Sequence, residues 1–143
     1  MNNGIIMKIL FENRYIRIGL SERFHCLEYH WKESTTNRSL KILLNKVSYF
    51  AELYNCNKLI PDLDNIINLP DEMRFWAESE WFPNLVKIGI RTFLIVNSDS
   101  MLTMNSINDS KNFILNLKNN ISIRTIYFSD LNTAMDWLEL DQI

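Results

Sequence analysis

Residues 91 to 97, RTFLIVN, hold four large apolar side chains in a row: Phe93, Leu94, Ile95 and Val96. A strand with one wet face alternates apolar and polar residues, so an unbroken run needs cover on both faces. That is the situation of a parallel strand inside an α/β sheet. The flanking segments supply the cover. Pro70 opens a helical stretch that runs towards Gly89, because proline at the first helical position gives up an N–H that has no partner there anyway. Upstream of it, KLIPDLD (58 to 64) reads as a short buried strand ending in acids. Downstream come a helix over roughly 105 to 118, a strand ISIRTIYF (121 to 128) and a helix over 130 to 140. In that last helix Asp130 is the expected N-cap, and Leu131, Ala134, Met135 and Leu138 form the buried stripe.

Towards the N-terminus the period changes. Residues 5 to 11 and 14 to 20 are rich in Ile, Leu, Phe and Tyr, with ENR as a tight connection between them, which predicts a hairpin. FHCLEYHW (24 to 31) predicts a third strand. Its alternation sets His25, Leu27, Tyr29 and Trp31 on one face and Phe24, Cys26, Glu28 and His30 on the other. The two histidines then point apart and cannot share a metal. Capping residues from Ser34 to Ser39 precede Leu40, Leu43, Leu44, Val47, Phe50, Ala51 and Tyr54, which follow helical spacing and predict a core-facing helix. The order βββαβαβαβα implies an α/β fold in a single domain, residues 1 to 143. Its mixed sheet is mostly parallel with antiparallel strands at the N-terminus.

Composition narrows the function classes. Apolar residues at 47% and charged residues at 22% are a globular balance. A formal net charge of −2 provides no basic field for a nucleic-acid backbone. No apolar run is long enough for a membrane span and the N-terminus lacks a basic leader, so a cytoplasmic protein is expected. Cys26 and Cys56 lie far apart in sequence and are read as packed thiols. Three glycines, Gly4, Gly19 and Gly89, cannot build a glycine-rich phosphate cradle.

RFWAESEWFPN (74 to 84) concentrates aromatic side chains on the second helix. At about 100° per residue, Phe75, Ser79, Phe82 and Val86 share one face, and Met73, Ala77 and Trp81 lie opposite or oblique to it. Glu78 and Glu80 diverge by about 200° and cannot act as an acid/base pair, whereas Arg74 and Glu78 can pair on the surface. Trp76 falls among Glu72, Glu80 and Lys87, on the solvent side. Pro83 should kink the helix near Trp81 and Phe82. Two outcomes follow for Trp76, Trp81, Phe82 and Pro83: the kink folds them into the core, or they form a self-association surface or apolar groove.

Open α/β sheets hold ligands at the carboxyl ends of their strands. Asp62, Asp64, Ser98, Asp99 and Asp130 fall there and form a candidate polar ligand rim. Their order resembles that of haloacid-dehalogenase-like phosphatases. That resemblance would make Asp62 the nucleophile, Asp64 the general acid, Ser98 and Lys111 the phosphate contacts and Asp130 a magnesium ligand. Three strands and a helix before the motif, Pro61 beside Asp62, and Ile66 where the motif prefers Thr or Val all depart from that family.

WFPNLVKIGIRTFLIV and IYFSDLNTAMDWL, with the element order, resemble the small bacterial SpoIIAA-like (STAS/SEC14-type) domains. Trp76, Trp81, Phe82, Pro83, Gly89, Phe128, Ala134, Trp137 and Leu138 carry the likeness. It implies a STAS-like fold and a non-catalytic binding or regulatory role without a cofactor. Trp76, read as exposed beside Pro83, makes a homodimer or a contact with another protein the expected partnership. Residues 62 to 74, DLDNIINLPDEMR, contain no hydroxyl side chain, so the phosphorylation switch of the anti-sigma-factor antagonists in that group is not expected. An apolar, lipid-type small molecule is the alternative ligand, and a small magnesium-dependent phosphatase is the enzymatic alternative. No residue is assigned as catalytic or as a metal ligand.

Overall fold

The computed structural model describes residues 7–62, 70–96 and 123–141. Six strands form one sheet: β1 (Lys8–Glu12), β2 (Ile16–Ser21), β3 (Cys26–Trp31), β4 (Lys58–Asp62), β5 (Thr92–Val96) and β6 (Arg124–Phe128). They lie side by side in chain order, with β1, β2 and β3 antiparallel and β3 to β6 parallel. The α/β class, the mixed sheet and the antiparallel start therefore agree with the sequence reading. The helix expected over 105 to 118 lies outside the described residues.

Local chemistry explains the turns. Asn13 Oδ1 accepts from the backbone N–H groups of Tyr15 and Ile16 at 2.8 and 2.9 Å and closes the first hairpin as an Asx turn. The second hairpin turns through His25 at φ 52°. β3 therefore starts at Cys26 rather than at residue 24, and His25 sits exposed in the turn instead of on the strand face.

Helix α1 (Asn37–Leu53) is capped by Thr36, whose hydroxyl accepts from Ser39 N–H at 3.2 Å. It is followed by α2 (Asp71–Trp76), a π-helical turn (Ala77–Trp81) and α3 (Phe82–Ile88), which run as one helical segment. Consecutive right-handed crossovers in one direction put these elements on the same face of the sheet, and there they share the larger core cluster with Leu27, Tyr29, Leu59 and Phe93. The final helix, α4 (Leu131–Asp141), covers the opposite face, where Ala134, Met135 and Leu138 pack with Phe24, Cys26, Ile60, Leu94 and Val96. β5 is buried along its whole length, as its uninterrupted apolar run requires.

Two helices end in the same way. Cys56 N–H reaches Ala51 O (2.9 Å) and Asn55 N–H reaches Glu52 O (3.2 Å), with Asn55 at φ 54°. Ile90 N–H reaches Leu85 O (3.0 Å) and Gly89 N–H reaches Val86 O (3.1 Å), with Gly89 at φ 112°. Both are Schellman stops that aim the chain into the next strand. A Cβ at Gly89 would meet nothing within 4 Å, so the cost of Gly89→Ala is backbone strain alone. Chemical denaturation should show a loss of about 1 to 2 kcal/mol.

Candidate functional site

The aromatic helix is resolved by the π turn. Phe82 N–H bonds back to Ala77 O, five residues away, instead of four. The wider turn lies just before Pro83, which has no N–H to donate and whose ring would crowd a regular preceding turn. Ser79 Oγ donates to Phe75 O at 2.7 Å within the same stretch. The backbone stays helical through Trp81 and Phe82, so the expected kink is replaced by an extra residue in the turn.

That change resets the faces. Met73, Ala77, Trp81, Phe82 and Leu85 are all buried, whereas Phe75 is 71% exposed. Trp81 donates its indole N–H to Leu44 O at 2.8 Å and meets Tyr29 edge-on at 6.4 Å. Phe82 continues the chain of rings to Phe93 at 5.6 Å. Trp81 and Phe82 are thus core residues of this chain, and Pro83 is exposed beside them. Trp76 is not on the open solvent side: it is half-buried against the larger core cluster, with the Lys41 ammonium 5.8 Å above its ring. Arg74 lies 3.8 Å from Asp71.

An aligned row of exposed apolar side chains lies on α1. Ile42, Tyr49 and Leu53 are 55%, 60% and 54% exposed. Seven and four residues apart, they fall within about 40° of one another around the helix, directly opposite Leu44, Val47 and Ala51. Lys46 shares this stripe, with its ammonium 4.4 Å from the Phe11 ring on β1. Helical spacing in the sequence already aligns Ile42, Tyr49 and Leu53 opposite the buried stripe of the same helix.

Of the polar rim, Asp62 and Asp130 are described; Asp64, Ser98 and Asp99 lie outside the described residues, as does Lys111 of the phosphatase-like order. Asp130 is exposed and caps α4: its Oδ1 accepts from Thr133 N–H at 2.7 Å and Thr133 Oγ1 at 2.9 Å, which lowers its pKa. Asp62 ends β4, almost buried, beside His30 on β3. His30 Nδ1 stands 2.9 Å from Asp62 Oδ2, close enough for an ion pair but poorly aligned for a hydrogen bond.

Strand alternation brings Glu28 to the same face. It is 2% exposed, with Oε1 3.7 Å from Arg17 on β2 and Oε2 without a hydrogen-bond partner. Burial drives its pKa up to about 7, against the pull of Arg17 and with a smaller push from Asp62. The sequence placed Glu28 and His30 on one face. It did not show that the β3–β4 register sets His30 directly beside Asp62. Glu28, Asp62, His30 and Arg17 thus gather into one polar island in the sheet. Among the described residues no group of three or more His, Cys, Asp or Glu is arranged to hold a metal ion. No described helix is long and apolar enough to cross a membrane.

No protein-family model matches the chain, and neither a curated protein nor a solved structure matches it.

Proposed function

We propose that this chain is a STAS-like binding or regulatory module that acts without a cofactor, through contacts with other protein, and that its contact surface is the outer stripe of α1. The single observation behind the reading is the row Ile42, Tyr49 and Leu53, three large apolar side chains exposed on the side of α1 that faces away from the core. Single exposed apolar residues are ordinary, but an aligned row on one helix face is a docking pattern. The STAS-like part is supported by the chain-order sheet with its antiparallel start. It is also supported by the packing roles of Trp81, Phe82, Gly89, Ala134 and Leu138.

A triple variant, Ile42→Lys, Tyr49→Ser and Leu53→Lys, tests the reading. Its unfolding free energy should stay within about 1 kcal/mol of the native chain, because surface changes away from special features cost little. Used as bait in an extract of the source cells, the native chain should retain protein that the triple variant does not. Identical retention by both baits overturns the proposal, and so does a loss of several kcal/mol, which would make the stripe structural.

A further inference from the structure

We infer that the α1 stripe is occupied by a second copy of this chain, packed antiparallel about a two-fold axis; the inference rests on the contact surface proposed above. The charges of α1 point to it. Arg38 and Lys41 lie in the first two turns of the helix, Lys46 near its middle and Glu52 in its last turn, with no acid in the first turn and no base in the last. Arg38, Lys41 and Glu52 therefore sit at the end of the helix dipole that opposes them. An antiparallel copy reverses the mismatch: the basic, positive end of one α1 lies along the acidic, negative end of the other.

The stripe is self-complementary in that arrangement, and its flanking charges favour it. With the axis midway between Ile42 and Leu53, Ile42 faces Leu53 of the second copy, and the Lys46 methylenes lie along Tyr49 while its ammonium stays over Phe11 of its own chain. On one flank, Lys41 and Glu52, about 20° apart around the helix, come opposite each other across the axis. A parallel pairing about a two-fold along the helices would put the two Lys41 side chains on opposite flanks, away from both Glu52 side chains. With three apolar anchors per copy, the contact is smaller than the roughly 800 Å² per partner of a stable complex, so the dimer forms and dissociates with concentration.

Disulfide trapping in the full chain tests the geometry. Ile42→Cys and Leu53→Cys are made separately, and each is oxidised alone and in a one-to-one mixture. Cys26 and Cys56 are buried and burial raises both thiol pKa values, so they stay silent. The mixture should give a covalent dimer and the separate variants should not. In the antiparallel pair two copies of residue 42 are about 16 Å apart along the axis, beyond the roughly 7 Å Cα separation a disulfide spans. Sedimentation of the native chain should show a mass that rises with concentration, and Ile42→Glu should weaken that association at least tenfold. Covalent dimers from either variant alone overturn the antiparallel geometry while leaving the α1 contact surface standing. A native chain that stays monomeric up to about 1 mM overturns the second copy as occupant, and the extract experiment then judges the contact surface separately.

Discussion

Trp81→Ala should lower the unfolding free energy by about 3 to 5 kcal/mol, while Phe75→Ala, six residues earlier on the same helical segment, should change it by less than about 0.5 kcal/mol. Trp81 is 3% exposed and stands where α1, the π turn and β3 meet. Its removal opens a ring-sized cavity between Tyr29 and Phe82 and deletes the hydrogen bond that ties the π turn to Leu44. Phe75 touches mostly solvent. Trp81→Phe keeps most of the volume and loses the indole N–H, so it should fall between the two at about 1 to 2 kcal/mol. Urea titrations with an unchanged slope are the measurement, because a changed slope would signal a different unfolded or native compactness. If Phe75→Ala proves the costlier of the two, the helix runs in regular register and the π turn is absent.

The contrast between these aromatic residues shows what the sequence could and could not convey. Helical spacing correctly joined Met73, Ala77 and Trp81. It separated Phe82 from them, because a π turn adds one residue to the turn and leaves no periodic trace. The clue is Pro83, whose missing N–H and crowding ring predict a kink. A kink and a widened turn relieve the same steric conflict in different ways, and the choice between them depends on what the neighbouring face can bury. The sheet was more legible: RTFLIVN required two covered faces and received them from α1, the α2–α3 segment and α4. Strand alternation likewise placed Glu28 and His30 together. Pairing across strands is a tertiary property, so the approach of Asp62 to His30, and of Arg17 to Glu28, could not be read from spacing. His25 left its strand because a left-handed residue closes the hairpin before it, and alternation carries no sign of that.

Glu28→Gln should stabilise the protein above neutral pH and have little effect near pH 4. In the unfolded chain the carboxyl titrates near its ordinary value of 4.5, and in the folded chain burial holds it at about 7. Between those values the folded state keeps a proton that the unfolded state has released. The contribution of this group to stability is therefore complete below pH 4.5, falls as pH rises towards 7, and is flat beyond. At 1.36 kcal/mol for each pH unit the accumulated loss is about 3 kcal/mol. Glutamine has nearly the same shape and no charge to bury, and Arg17, partly exposed, keeps its hydration when its partner becomes neutral. The difference in unfolding free energy between variant and native chain should grow from near zero at pH 4 to about 2 to 3 kcal/mol at pH 8, measured by denaturant titration at several pH values. Taking the difference cancels the titration of every group the substitution leaves alone. Arg17→Met removes the guanidinium 3.7 Å from Glu28 that favours its ionised form and should act oppositely, costing stability at pH 8 and little at pH 4. A difference curve for Glu28→Gln that is flat with pH, or that shows destabilisation at pH 8, would mean that Glu28 is ionised at little cost and that the buried polar island is solvated or paired in some other way.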